Sequence, residues 1–381
     1  MRLRFLTSTP LDISRGSGTY VGISTLANAL RNLGAEVEFV SPKIHLPVYT
    51  AERILFNQSL RFRRLAPVDA TIGFDMDGYT LSRANRGLHV TSIKGVIADE
   101  MRFERGLTRA TMQIQAAREK THAQTSQAVI TTSNYSAHRI QKLYKLATKP
   151  YIVPELIDLD VWTKLLEQQG NKELENGGLK KNEVPHVSPP LRDEGTTTAK
   201  FIVLSVSRFY PRKRLHILLE AAARLRNRIP NLELRIVGGG PEALRLKGIR
   251  EKENLQPIVH FRENIAQEEL IAEYKSCDLF CLPSVQEGFG IVFLEAMATG
   301  KPIVAARAAA VPEVVQHGLL AEPDNAESLA AAIETLYRDP TLRESLAAAG
   351  NQFVQQFDAP RVAATFLRTI ESIIADTKSV R

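Results

Sequence analysis

The feature that most restricts this chain is a strand that ends in glycine and turns into a helix, because it occurs in both halves. Leu3–Thr7 leads through Arg15-Gly-Ser-Gly-Thr-Tyr-Val-Gly22 to a helical pattern over Ile23–Leu33, closed by Gly34, and then to a strand over Val37–Val40. That order is a βαβ unit, and Gly34 suits the left-handed backbone at a helix C-cap. Further strands are predicted at Ala70–Gly73, Val90–Ser92, Ala128–Thr131 and Tyr151–Val153, with a helix over Thr108–Ser126. A second series opens at Phe201–Val206, a run apolar enough for a strand buried on both faces. It continues through a helix at Leu215–Arg226 and a strand at Leu232–Val237 that ends in Gly238-Gly-Gly-Pro-Glu242. Strands follow at Val259–Phe261, Leu279–Leu282, Pro302–Ala305 and Gly318–Ala321, and helices at Ala326–Tyr337, Leu342–Gln356 and Pro360–Ala375. Strands alternating with helices predict α/β architecture with parallel sheets covered on both faces.

Composition divides the chain. Leu165–Lys200 is rich in Gly, Asn, Glu, Lys and Pro, lacks a sustained apolar period, and reads as an interdomain linker. It separates a domain at 1–164 from one at 201–358. At 381 residues the chain is long enough for two such cores. Parallel α/β domains place ligands at the carboxyl ends of their strands, so two that face each other predict a site in the cleft between them.

Residues 1–164 carry 22 Lys and Arg against 14 Asp and Glu, whereas the remainder carries 27 against 28. A basic first half suggests an anionic partner. Nucleic acid is disfavoured, since there is no binding module and no aromatic-studded basic strand. Arg53–Leu65 has two open readings: a basic amphipathic helix in peripheral contact with an anionic membrane surface, or an ordinary helix packing Leu55, Phe56 and Leu60 inward. The ordinary helix is favoured. No run reaches the length of a membrane span, and the N-terminal apolar stretch is too short for a signal peptide. Cytoplasmic localisation is expected, with the inner face of the membrane as an optional periphery. The only cysteines, Cys277 and Cys281, sit in an apolar run and read as buried thiols.

Two strand ends carry the chemistry. Ser205-Val-Ser-Arg208-Phe-Tyr-Pro-Arg212-Lys213-Arg214 places four cations after a strand, suited to an anion such as a leaving diphosphate. A solvated basic loop is the plainer alternative. Pro283-Ser-Val-Gln-Glu287-Gly-Phe-Gly-Ile-Val-Phe-Leu-Glu295 puts two carboxylates around a glycine-rich helix start, whose free N–H groups favour polar ligand atoms.

The second half resembles the retaining glycosyltransferase family 4 (glycosyl transferases group 1), of GT-B fold. The matching blocks are Ser207-Arg208-Phe-x3-Arg212-Lys213, Val237-Gly-Gly-Gly-Pro-Glu242, Glu287-Gly-Phe-Gly-x4-Glu295-Ala-Met-Ala-x-Gly300-Lys-Pro302, Ala310-Val-Pro-Glu313 and His317-Gly-Leu-Leu-Ala-Glu-Pro-Asp324. The first half resembles it more loosely, through Gly16-Ser-Gly18-Thr-Tyr, Thr131-Thr-Ser-Asn-Tyr135 and Val153-Pro-Glu-x-Ile-Asp158. The resemblance implies two Rossmann-like, doubly wound domains facing across a cleft, with the last helix, about 360–381, crossing back onto the first domain.

The resemblance also implies roles. Arg208 and Lys213 bind the donor diphosphate in place of a metal, and the Gly18 N–H meets it from across the cleft. Glu287 and the Gly288-Phe289-Gly290 backbone hold the transferred sugar. Glu295 binds the ribose, and Arg262–Ile265 line the base. Many relatives carry a His where this chain has Lys94, which is then a candidate for contact with the sugar or phosphate, beside the reading of an exposed loop lysine. Glu263 stands where a glycine is usual, which leaves the base open. The implied activity is retaining transfer of a hexose from a nucleotide diphosphate sugar, UDP-glucose or GDP-mannose in type. No cofactor or metal is expected. The acceptor is a lipid-linked sugar, an oligosaccharide or a small molecule.

Three alternatives stay open. Asp75-Met-Asp77 and Asp158-Leu-Asp160 are Asp-x-Asp pairs of the kind that hold a divalent ion in metal-dependent transferases. Gly16-x-Gly18-x3-Gly22 suits an NAD(P)-dependent oxidoreductase, but the second strand ends in Ser41-Pro42 rather than an acid, and Glu36 precedes it. A nucleotide-sugar epimerase or a non-catalytic binder would share the scaffold.

Overall fold

A computed structural model describes residues 1–9, 18–43, 46, 48–84, 87–177 and 199–379, with the backbone alone at 18, 19, 170–177 and 379. The first series runs β1 (Arg2–Leu6), α1 (Gly18–Asn32), β2 (Glu36–Val40), α2 (Tyr49–Leu60), β3 (Ala70–Phe74), α3 (Tyr79–Ser82), β4 (His89–Ile93), α4 (Ile97–Glu100), α5 (Gly106–Thr125), β5 (Ala128–Thr131), α6 (Asn134–Tyr144), β6 (Tyr151–Ile152) and α7 (Leu159–Gly177). The second runs β7 (Phe201–Val206), α8 (Leu215–Leu225), β8 (Leu232–Val237), α9 (Ala243–Lys252), β9 (Val259–Arg262), α10 (Gln267–Ser276), β10 (Leu279–Leu282), α11 (Ile291–Ala298), β11 (Ile303–Ala306), α12 (Val311–Val314), β12 (Leu319–Ala321), α13 (Ala326–Arg338), α14 (Pro340–Phe353) and α15 (Ala359–Ser379).

The strands form two six-stranded sheets, ordered β2-β1-β3-β4-β5-β6 and β12-β11-β10-β7-β8-β9, with parallel pairing throughout. Strand order reverses beside β1 in the first sheet, where Leu3 lies opposite both Val37 and Ala70. It reverses beside β7 in the second, where Val203 lies opposite both Leu234 and Leu279. Such a switch point opens a crevice at the carboxyl ends of its strands. In the second sheet those ends are the Arg208–Lys213 turn and the Glu287 loop.

Each sheet has its own apolar core, the larger built on β7, β8, β10 and β11 with α8, α11 and α13. The first core is completed by the end of the chain: Ala363, Phe366 and Ile370 of α15 are buried with Leu3 and Phe5, and the Phe366 and Phe5 rings meet edge to face. The two connections between the halves run side by side, since the Ala359 N–H donates to the Ile157 carbonyl and the Ile157 N–H to that of Phe357.

Two local readings need correction. Residues 165–177 are not linker but the continuation of α7; composition hid the helix because only its first turns carry large apolar anchors. Leu159 and Trp162 pack on the second core, and Trp162 meets Tyr274 edge to face. Residues 178–198 of the expected linker lie outside the described residues. In α2, Leu55 does not point inward: it is 58% exposed, as Phe62 beyond the helix is 87% exposed. The helix is turned so that Arg53 goes inside instead, to Asp77. Asp77 is fully buried, and leaving its carboxylate without a cation would cost roughly 3–5 kcal/mol, more than the roughly 1.5–3 kcal/mol gained by burying one leucine.

Candidate active site

The turn after β7 is shaped by glycines further along the chain. Gly238, at φ 130°, lies so close to the Ser207 carbonyl that a Cβ would overlap it, and Gly240, at φ 155°, would bring a Cβ within 2.9 Å of the Phe209 nitrogen. The glycine loop after β8 therefore serves the Ser207–Phe209 turn as a close-fitting support. Phe209 is fully buried, which anchors the turn and leaves Arg208 exposed on the cleft wall. Lys213 closes the next short turn, Pro211–Lys213, and its ammonium pairs with the Glu287 carboxylate. The side chains assigned to diphosphate and to sugar are thus in direct contact.

Glu295 sits in the second turn of α11 and accepts a hydrogen bond from the Tyr274 hydroxyl at 2.8 Å. Burial pushes its carboxyl up to about 6, against the hydrogen bond, which lowers it. The Phe289 ring is turned into the core, edge to face with Phe357 at 5.4 Å, so only its backbone faces a ligand. Gly290 caps α11 at φ 98°. Arg262 pairs with Glu273 at 2.9 Å, Ile265 packs against the second core, and Glu263 is held by Lys247 at 2.7 Å.

The first sheet meets this surface at its own strand ends. Lys94 follows β4, and its carbonyl lies 2.5 Å from where a Cβ on Gly288 would be, so the two backbones touch. Its ammonium is 2.9 Å from Glu155 Oε2, and the side chains are only 7% and 6% exposed. Lys94 is therefore a buried, paired lysine rather than an exposed loop residue. The β5–α6 turn adds Thr132, Ser133 and Ser136, whose hydroxyls donate to the Gly288 carbonyl at 3.0, 2.8 and 3.3 Å. Glu313 reaches across the same seam and accepts from the Asn134 and Tyr135 N–H groups at 2.8 and 2.7 Å. A carboxylate at a helix N-terminus gains from the dipole as well as from those bonds. Gly18 is the first residue of α1. The loop before it, with Gly16, lies outside the described residues.

Beside the seam lies a cleft of about 720 Å³, lined from the first half by Thr9, Tyr49, Asp75, Glu100 and Glu104 and from the second by Arg208 and Arg212, among others. Arg212 spans it to Glu100 at 3.6 Å and stacks over the Tyr210 ring. Two buried polar atoms on its wall, Glu104 Oε1 and Arg212 Nε, have no hydrogen-bond partner among the described residues. Orphaned groups of this kind mark places where a ligand or water completes the bonding. Asp75 is held at φ 52° after β3, and burial first of all pushes its carboxyl up to about 6.

The Asp-x-Asp pairs have local duties. Asp77 is fully buried and accepts from the Ser8 N–H and hydroxyl, both at 2.7 Å, from Asn57 at 3.0 Å and from Arg53. Asp158 accepts from the Val161 N–H at 3.0 Å at the start of α7. Glu36 opens β2, at the end of the sheet away from the crevice. Spacing rules missed Glu155 and Glu100 and noted Asp75 only as half of an Asp-x-Asp pair, not as a cleft residue. Only Glu155 lay in a family-like block.

Residues 191–353 match the family model described as glycosyl transferases group 1. The chain carries a group 1 glycosyl transferase domain. The curated relatives each match a little under half of the chain. A GDP-mannose-dependent alpha-(1-6)-phosphatidylinositol monomannoside mannosyltransferase of Mycolicibacterium smegmatis is 33% identical over 162 residues, 40% of this chain and 42% of that one. A D-inositol 3-phosphate glycosyltransferase of Pseudarthrobacter chlorophenolicus is 32% identical over 190 residues, 48% of this chain and 45% of that one. The chain thus matches less than half the length of these relatives. Solved structures cover nearly the whole chain. Sucrose-phosphate synthase of Thermosynechococcus elongatus superposes with a TM-score of 0.79 at 20% identity, covering 98% of this chain and 99% of the other. Anabaena HepE in complex with UDP and glucose superposes at 0.69 and 19%, covering 98% and 100%. The glycosyl transferase domain therefore stands within a GT-B fold. Among the described residues, no helix is long and apolar enough to cross a membrane.

Proposed function

We propose that this chain is a retaining glycosyltransferase that moves a hexose from a nucleotide diphosphate sugar to an acceptor hydroxyl without a metal ion. The observation that carries this reading is the pairing of Lys213 with Glu287 at the β7–β10 switch point, with Arg208 on the same turn as Lys213 and the Lys94 backbone against the Glu287 loop at Gly288.

In this reading the donor diphosphate lies between the Arg208 and Lys213 side chains and the N-terminus of α1. The entering phosphate competes with Glu287 for Lys213, which frees that carboxylate to take sugar hydroxyls. The bond from anomeric carbon to diphosphate oxygen then breaks, and its electron pair leaves with the phosphate. The two cations are already in place for that charge, which is the condition for large electrostatic stabilisation. The acceptor attacks from the same face and passes its proton to the departing phosphate oxygen. Glu295 takes the ribose and the Arg262–Ile265 stretch the base. The acceptor occupies the cleft beside Asp75 and Glu104.

The mannosyltransferase relative points to a GDP-mannose donor and the HepE complex to a UDP one. A donor screen, reading nucleotide diphosphate release with and without acceptors and in excess chelator, tests the reading. Release from a nucleotide sugar, full activity in chelator and retention of anomeric configuration are expected. Activity abolished by chelator, or no release from any donor, overturns it. The oxidoreductase alternative receives no support from Glu36, which opens its strand rather than closing it.

A further inference from the structure

Gly22 is buried in the interior of α1, with no left-handed backbone to require a glycine. Glycine at such a position weakens a helix relative to alanine, so something else must hold it there. A Cβ at Gly22 would lie 2.8 Å from Glu155 Oε2 and 3.4 Å from Ile291 Cδ1. The same oxygen is 2.9 Å from the Lys94 ammonium, so a Cβ that pushed the carboxylate aside would loosen that pair. Lys94 in turn lies against Gly288. A continuous line of contacts thus runs from α1 through Glu155 and Lys94 to the loop that faces the donor sugar.

Resting on the glycosyl-transfer reading, we infer that Glu155 is a positioning residue for the transfer: it holds the Lys94 ammonium beside the sugar loop and cancels its charge, and Gly22 makes room for it. A bare ammonium at this place has two opposed effects. It attracts the anionic diphosphate, and it repels the positive charge that grows on the anomeric carbon as the bond to phosphate breaks. Both effects are strong in a gap that excludes water. Paired with Glu155, Lys94 keeps N–H donors for a sugar hydroxyl or a phosphate oxygen but adds no net charge. The pair therefore favours the transition state at the expense of tight ground-state binding of the donor.

The test uses the full chain with Glu155→Gln, Gly22→Ala, Glu155→Ala with and without Gly22→Ala, and the double variant Lys94→Gln/Glu155→Gln. It reads donor kinetics, melting temperature and calorimetric binding of UDP and GDP. Glu155→Gln should lower kcat roughly tenfold or more, while the donor KM and the nucleotide Kd stay level or fall. The double variant Lys94→Gln/Glu155→Gln, which removes the ammonium together with its partner, should recover part of the kcat lost in Glu155→Gln. Gly22→Ala strengthens the helix and leaves every charge in place, so it should fold. It should shift kcat in the same direction, and add nothing to a Glu155→Ala background. A kcat and KM for Glu155→Gln within about twofold of wild type overturns the inference. A raised KM with a lowered melting temperature and no recovery in the double variant overturns it too, leaving a structural brace. If the wild type binds UDP or GDP but transfers from no donor, the transfer reading fails, and the pair is judged on binding. Tighter nucleotide binding by Glu155→Gln then upholds the charge cancellation, and unchanged binding overturns it. A wild type that binds neither nucleotide overturns both.

Discussion

The two sheets build their parts of the site differently. In the second, the working groups come from two short stretches, the turn after β7 and the loop after β10, and each stretch brings its own cations, carboxylates and glycines. In the first, each strand end contributes one or two residues, and these meet only across the sheet: Asp75 after β3, Lys94 after β4, Thr132 and Ser133 after β5, Glu155 after β6. A half-site made from contiguous stretches carries its chemistry in local sequence, whereas one made from scattered residues depends on pairs formed across strand ends, such as Lys94 with Glu155. The matched family segment falls on the contiguous half.

The comparison breaks most visibly if the contiguous half is dispensable. Arg208→Ala and Lys213→Ala should each lower turnover by about 10²–10³-fold. Arg208 is exposed on the cleft wall, so its variant should melt near wild type, whereas Lys213→Ala leaves the buried Glu287 carboxylate without its partner and should melt lower. Wild-type turnover in either variant removes the assigned role. Gly288→Ala probes the seam, because its Cβ would press on the Lys94 carbonyl, a backbone atom that cannot rotate away. A cost of about 1–3 kcal/mol is expected, measured by denaturant unfolding and accompanied by a loss of kcat. A neutral Gly288→Ala shows that the halves do not meet there.

Glu295 sharpens the picture of the second half alone. Its folded-state carboxyl, raised by burial to about 6 from an ordinary 4.5, binds its proton more tightly than in the unfolded chain. The stability this confers is complete at acid pH and is lost as pH rises from 4.5 to about 6. Glu295→Gln keeps an acceptor for Tyr274 and should flatten that slope by at most about 2 kcal/mol. An unchanged pH–stability curve counts against a buried carboxyl. The smallest effect belongs to Glu313→Gln, which removes the charge from the N-terminus of α6. A loss of about 1 kcal/mol or less is expected, read as a lowered unfolding midpoint that high salt mimics in wild type. An equal loss at every salt concentration argues against the dipole term.

Both sheets were legible from alternation alone: every predicted strand from Leu3–Thr7 to Gly318–Ala321 is present within a few residues. α7 was the exception. Its polar, Gly- and Glu-rich sequence resembles a linker, and only Leu159 and Trp162 reveal that a neighbouring surface receives it. Leu55 failed for a related reason, since α2 is oriented by the burial of Arg53 against Asp77, an ion pair between residues 24 apart that no periodicity reports. The glycines after β8 were visible, but not their purpose, which is to admit the Ser207–Phe209 turn.

By itself the sequence determined the alternation of strand and helix, the two switch-point loops and the residues they carry, because apolar periodicity and turn chemistry are local. The tertiary structure alone decided which of those groups meet. Lys213 faces Glu287, Lys94 faces Glu155, and Gly22 yields its volume to a carboxylate 133 positions away. Burial, register and the closing of the seam between two sheets set the distances on which charge neutralisation depends, and none of these is a property of neighbours in the chain.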